Sequence, residues 1–487
     1  MPQSNPHHER RWAILAILGI AQLMVVLDAT IVNIALPSAQ RALHFSNDNR
    51  QWIVTAYSLA FGSLLLLGGK ISDLFGRKWT FIIGLIGFAL ASAVGGAAQS
   101  FLMLAVARAC QGAFGALLAP AALSLLTTTF TETSERNKAF GIYGAIAGSG
   151  ASIGLLLGGI LTQYLDWRFS MYVNSLFAIV AVSGALTLLH NQAPAERGRI
   201  DIPGIATVSL GLFGLVYGFN HAQTTSWGNP LTLAVLAAGV VLIGVFALLE
   251  SRVAHPLLPL RVITDRNRGA AYLSMGLASA AMFGVFLFLT YYLQETRGYS
   301  PVTTGVAFLP LTGVLMVTAI IATTRLRGIV GPRPLVVTGM ALGAVAMVLL
   351  RGIGVSSSYA GSILPALLLM GVGLGLVFST AMNSATLGVQ PADAGVASAT
   401  VNASQQVGGS LGTALLSTLA ASATTSFITA AHTRPTATLV AHAAIHGYTT
   451  AFAVSAGLFA AAAVIAALLF APKDRQPVAV GEPIAVA

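Results

Sequence analysis

A chain of 487 residues that is 56% hydrophobic and only 8% charged excludes a soluble domain, in which about a quarter of the residues carry charge. The formal net charge of +10 does not mark a nucleic-acid binder, because the basic residues are scattered over short loops between apolar runs. The composition points to an all-α integral membrane protein bathed in lipid, and the single cysteine, Cys110, excludes an internal disulfide.

Apolar runs near the length of about 20 residues that spans a bilayer fall at 12–37, 51–69, 79–97, 102–127, 139–161, 168–189, 203–220, 231–250, 269–292, 302–324, 334–351, 361–386, 400–422 and 447–470. The first is too long for a signal-peptide core and lacks a small-residue cleavage site, so it reads as a retained helix. Fourteen spans put both termini, 1–11 and 471–487, on one side. Assigning that side to the cytoplasm places 18 of the 25 Lys and Arg there. Six lie outside or at outer helix ends: Arg41, Arg50, Arg168, Arg297, Arg351 and Arg434. The remaining one, Arg108, is within a span, and the bias sets the expected orientation across the cell membrane.

Span 1 ends in Leu27-Asp28-Ala29-Thr30-Ile31-Val32-Asn33-Ile34-Ala35-Leu36-Pro37. A carboxylate inside hydrocarbon is costly, so Asp28 is expected to face a bundle interior or a cavity and to mark a transport path. Tyr57 enters on span 2 at matching depth, and Gln22 lies two turns below Asp28; both are candidate hydrogen-bonders in a cavity, with a bond to a neighbouring helix as the structural alternative. Arg108 on span 4 cannot lose its proton and needs a partner. At about 1.5 Å per residue, Asp28 and Arg108 lie roughly 13 and 9–10 Å below the outer membrane face, so the two are expected to pair. Desolvation favours a protonated carboxyl and a nearby guanidinium favours an ionised one. A pair facing a cavity could therefore load and release a proton, and a static pair between helices is the structural alternative. Span 5 carries Gly141, Gly144, Gly148, Gly150, Gly154, Gly158 and Gly159 at repeated four-residue spacing. Such spacing lets helix backbones approach closely and offers a smooth face for rocking.

Between spans 2 and 3 stands Gly69-Lys70-Ile71-Ser72-Asp73-Leu74-Phe75-Gly76-Arg77-Lys78, in which Asp73 can pair with the bases or steady a helix N-terminus, the alternative being a solvated turn that only enforces orientation. The segment after span 10 aligns with it: Lys70 meets Arg325, Gly76 meets Gly331, Lys78 meets Arg333 and Gly84 meets Gly339, while Gly328 replaces Asp73. The chain thus divides into a six-helix unit at 12–189, a linker with two extra helices at 190–268, and a second six-helix unit at 269–470, as a two-half transporter should. The longest outer segment, 423–446, is expected to hold a short surface helix.

Other chemistry finds little support. No Gly-x-x-x-x-Gly-Lys-Ser/Thr run supports an ATP-driven pump. His442 and His446 have i,i+4 spacing without a nearby carboxylate or cysteine, so no metal site is expected. No Ser/His/Asp arrangement can be assembled in the spans, which argues against an enzyme.

These residues resemble the 14-helix drug–proton antiporter branch of the major facilitator superfamily over nearly the whole chain. Leu27–Pro37 resembles its span 1 signature, and the Gly69–Lys78 segment its specific loop motif. Arg108, Gln111, Gly112 and Pro120 match the span 4 motif, whose arginine the family associates with proton coupling. Asp166-Trp167-Arg168 with Tyr172-Val173-Asn174 is similar to the entry to span 6. The span 5 antiporter motif reads Gly154-Leu155-Leu156-Leu157-Gly158-Gly159, with Leu155 where the family has a proline, the residue that would remove a backbone bond and kink the helix. The resemblance implies the major facilitator fold, two six-helix bundles around a central cavity with spans 7 and 8 inserted.

The expectation is a monomeric antiporter without cofactors, driven by the proton gradient, that exports lipophilic neutral or singly cationic molecules. Asp28 and Arg108 would couple protons, and Gln22, Thr30, Asn33, Tyr57 and Gln111 would line the cavity. Gly69, Asp73, Gly76, Arg77 and Lys78 would form a cytoplasmic gate, and Gly150, Gly154, Gly158 and Gly159 the span 5 motif. Nutrient symport or uniport is the alternative within transport; a non-transporting membrane sensor or lipid-handling protein is the alternative outside it.

Overall fold

The computed structural model describes residues 10–45, 47–190, 201–253, 256–390, 393–431 and 436–472. With no water in the bilayer core, each backbone amide must be satisfied inside its own segment, and the described chain is accordingly helical. The first unit consists of α1 (Arg11–Leu43), α2 (Asn47–Phe75), α3 (Arg77–Gly96), α4 (Phe101–Thr129), α5 (Thr133–Tyr164) and α6 (Phe169–Leu188). The insert is α7 (Ile202–Thr224) and α8 (Pro230–Glu250), followed by the short α9 (Leu260–Thr264). The second unit comprises α10 (Arg266–Tyr291), α11 (Pro301–Ile321), the short α12 (Arg327–Val330), α13 (Pro332–Arg351), α14 (Leu364–Thr386), α15 (Ala394–Ala430) and α16 (Ala437–Leu469). Single π-helical turns extend α10 and α11 and precede α14.

Local sequence sets many of the helix starts. Ser100, Asp201, Asn229, Asp265, Ser300 and Thr436 each accept a hydrogen bond from the first turn of the helix they cap. Among the described residues thirteen helices are long and apolar enough to span a membrane, and α5 makes fourteen when its two bent parts count as one. The expected surface helix at 423–446 is absent from the described residues there. α15 runs on to Ala430 and α16 begins at Ala437, so the two spans extend beyond their apolar cores.

Within the first unit α4 packs on α2 and α3, α1 on α5 and α6, and α3 on α6. The second unit pairs α10 with α15 and α16, α13 with α14 and α16, and α11 with α14. The two bundles meet along α5–α11 and α2–α15. α7 lies against both α2 and α15 and carries α8 on its other side, so the insert straddles the seam between the bundles.

The repeat is visible in the backbone. Gly76 (φ 96°) and Gly331 (φ 79°) make matching turns in a region that disfavours other residues. Gly84 of α3 packs on Leu118 of α4, and Gly339 of α13 packs on Gly373 and Val377 of α14. One helix–turn–helix is thus used twice.

Span 5 bends without its proline. Thr133–Gly150 and Ile153–Tyr164 meet at 45°. Gly148, Ser149 and Gly150 precede the bend, and Ser149 Oγ donates back to Ile146 O at 3.3 Å. A Gly/Ser cluster with such back-bonding bends a helix as proline does.

Candidate functional site

The two intramembrane charges meet inside the first bundle. Arg108 Nη1 donates to Asp28 Oδ2 at 2.5 Å. Asp28 is 0% exposed and Arg108 1%. The other carboxylate oxygen, Oδ1, accepts from Gln111 Nε2 at 3.0 Å and from Asn174 Nδ2 at 2.6 Å. Arg108 also donates to Gln111 Oε1 at 2.8 Å and to Ile53 O at 3.4 Å. Ser92 Oγ accepts from both amides, at 2.5 Å from Gln111 and 3.3 Å from Asn174. The Arg108 guanidinium lies 4.4 Å from the centroid of the Tyr57 ring, a favourable placement for a desolvated cation. Five helices therefore build the site: α1 supplies Asp28, α2 Tyr57, α3 Ser92, α4 Arg108 and Gln111, and α6 Asn174.

Helix geometry explains why this cluster lies off the central face. At 100° per residue, Asp28 and Thr30 point to opposite sides of α1. Thr30 is half-buried and Ala29 exposed, whereas Asp28 turns toward α3, α4 and α6. The expected pair facing an open cavity is thus corrected: the pair is sealed among side chains of one bundle. Gly112 permits this, since a Cβ there would overlap Tyr57 O. Toward the end opposite the basic loops the site is covered by Val32, Leu36, Ile53, Leu104, Trp167 and Met171, which surround a cavity of about 10 Å³ with wholly apolar walls.

The other cavity candidates part company. Tyr57 and Gln111 belong to the ion-pair cluster. Gln22 Oε1 accepts from Tyr143 Oη at 2.8 Å, tying α1 to α5. Thr30 Oγ1 bonds back to Val26 O and Leu27 O and fits the space left by Gly154. The side chain of Asn33 lies outside the described residues.

The loop motif sits at the basic end of the molecule. Asp73 accepts from Gly395 N at 3.1 Å and Val396 N at 3.3 Å, the first amides of α15, where the helix dipole favours a carboxylate. Arg77 Nη2 stands 3.7 Å from Asp73 Oδ1. Lys78 Nζ donates to Leu189 O at 2.6 Å and so closes the end of α6. Gly69 packs on Gly395, and Gly76 makes the turn. Arg136 adds a second latch between the bundles, donating to Asn383 Oδ1 at 3.4 Å and Thr386 Oγ1 at 2.9 Å. Asn383 in turn donates to Asn137 Oδ1 at 2.7 Å.

The α5 glycines divide between two partners. Gly141, Gly144 and Gly148 meet Thr323, Ser379 and Leu315 of the second bundle, and Gly150, Gly154 and Gly158 meet Val26, Thr30 and Ile31 of α1. Gly159 is buried. The single rocking face expected along α5 is thus two faces, one toward each side of the seam.

Sequence reasoning missed Ser92 and Arg136, and took Asn174 only as part of a motif. An amide in a lipid-spanning helix was the available signal for Asn174; Ser92 gave none, since serine is common in spans. Among the described residues no group of three or more His, Cys, Asp or Glu could hold a metal.

Comparison with known proteins agrees with this architecture. Residues 18–413 match the Major Facilitator Superfamily profile. The chain belongs to that superfamily. It is a multi-pass membrane transporter and not an enzyme. Among superfamily relatives it is 48% identical to the puromycin resistance protein pur8 of Streptomyces alboniger, over 94% of this chain and 91% of that one. It is 37% identical to the cephamycin export protein CmcT of Amycolatopsis lactamdurans, over 84% and 85%. It is 38% identical to the tetracenomycin C resistance and export protein of Streptomyces glaucescens, over 85% and 76%. The crystal structure of the human organic anion transporter MFSD10 (TETRAN) shares the superfamily fold, with a TM-score of 0.61 at 16% identity, covering 94% of this chain and 99% of that one.

Proposed function

We propose that this transporter exports lipophilic, neutral or singly cationic small molecules of the antibiotic kind in exchange for protons, with its basic end in the cytoplasm. The observation that carries the reading is the sealed cluster of Asp28, Arg108, Gln111, Asn174 and Ser92. An ionised Asp28 satisfies Arg108 and both amides at once. A protonated Asp28 needs an acceptor, and Asn174 Oδ1, buried and without a partner, stands beside it. Rotation of that one amide would exchange the donor of the ionised state for an acceptor in the protonated state. Protonation would also release Arg108 from its counter-charge and so couple the proton to packing among α1, α3, α4 and α6. The names of the relatives support drug efflux, and the positive-inside bias supports the orientation.

The substrate class follows from charge. Asp28 is neutralised by Arg108 and sealed inside the first bundle, so the pair offers a substrate between the bundles no net charge, which fits amphiphiles. The test is the direction of proton movement when puromycin is added to proteoliposomes enclosing a pH indicator. Antiport predicts proton flux opposite to the drug. Flux in the same direction would mean symport, and no flux would reject proton coupling.

A further inference from the structure

The α7–α8 insert carries two acids that face each other. Asp201 caps α7, with Oδ1 accepting from Gly204 N at 3.0 Å. Glu250 ends α8, with Oε2 accepting from Leu258 N at 2.9 Å. The residues are only 8% and 4% exposed, and their remaining oxygens, Asp201 Oδ2 and Glu250 Oε1, receive no donor. Both oxygens crowd one point beside Gly204, where a Cβ would lie 2.7 Å from Glu250 Oε1 and nearer still to Asp201 Oδ2. The two carboxyl groups therefore face each other at close range with no donor between them. The charged group facing them from the neighbouring α2 is Lys70, whose Nζ donates to Pro256 O at 3.3 Å. Among the described residues no ion pair joins either acid to a base.

Two carboxylates in contact, shielded from water, cannot both stay ionised without strong repulsion. A proton placed between Glu250 Oε1 and Asp201 Oδ2 removes that repulsion and converts two orphaned acceptors into one hydrogen bond. We propose that Asp201 and Glu250 bind one shared proton, forming a second protonation site at the basic end that fastens the α7–α8 insert beside the gate loop. The fastening has a route to the gate. Lys70 holds the 256–258 segment, whose Leu258 N is bound by Glu250, and the adjacent Gly69 packs on Gly395 at the start of α15. Loss of the proton drives the start of α7 from the end of α8 and loosens that strap. The inference rests on these two acids alone and is independent of the role of Asp28.

Infrared difference spectroscopy of the full-length protein in lipid vesicles tests it through the carboxylic-acid carbonyl band at neutral pH, where isolated carboxyls are ionised. The wild type, Asp28→Asn and Asp73→Asn should all show such a band that ionises on alkaline titration, so that neither of the other buried acids accounts for it. Glu250→Gln and Asp201→Asn should each lose it, since either amide can bond the remaining acid without a shared proton. Two variants approach the pair from opposite sides, so a folding failure in one leaves the other decisive. A wild-type band that survives in both variants, or no band in the wild type, would overturn the proposal.

Discussion

Asp28 and Arg108 are unequal partners, although each neutralises the other. A carboxylate stripped of its counter-charge can take a proton and become neutral, whereas a guanidinium cannot shed one. Asp28→Leu should therefore destabilise the protein more than Arg108→Leu. Stranding a buried cation is worth about 3–5 kcal/mol, as when one partner of a buried ion pair is removed. Thermal unfolding of the two variants in one detergent checks this, and equal losses would mean that burial, not charge, dominates. Asn174 provides a finer probe. Asn174→Leu removes the 2.6 Å donor to Asp28 Oδ1, a charge-assisted bond worth about 1.5–3 kcal/mol. Gradient-driven transport should fall by about tenfold or more with expression intact. Transport at the wild-type rate would show that Asn174 only packs.

At the scale of helices, the basic end is held by contacts that side-chain changes can break singly. Asp73→Asn removes the charge at the start of α15, an interaction worth about 0.3–1 kcal/mol when exposed and up to about 2 when partly buried. Gly144→Val acts from the other seam, because a Cβ there would meet the Ser379 backbone at 2.8 Å. Both substitutions should shift the protein toward a state open at the basic end. Spin labels on the exposed positions Ser134 and Arg325 would read this as a longer interbundle distance. Gly150→Val should leave that distance unchanged while disturbing α1, since its neighbour is Val26. If all three variants give the wild-type distance, the division of α5 into two faces is wrong.

Over the whole molecule, what the sequence made legible was what hydrocarbon enforces. Spanning helices must be apolar and of a set length, so their number and the two-unit repeat stand out in the text of the chain. The pairing of Asp28 with Arg108 was also legible, because depth along a helix follows from residue count. Rotation about the helix axis was not, and it decides that Asp28 looks into the bundle while Thr30 looks away. Ser92, Arg136 and the Asp201–Glu250 contact join residues far apart in sequence, and their side chains carry no positional signal of their own. The bend in α5 was hidden for a related reason, since glycine and serine can replace proline only where neighbours leave room. The central claim is that Asp28 carries the coupling proton without itself forming the drug site. It is tested most directly by comparing two modes of puromycin movement in proteoliposomes containing the Asp28→Asn variant. The account predicts that the variant still exchanges labelled for unlabelled drug across the membrane but no longer accumulates drug when a pH gradient is imposed. Accumulation at the wild-type level would contradict it.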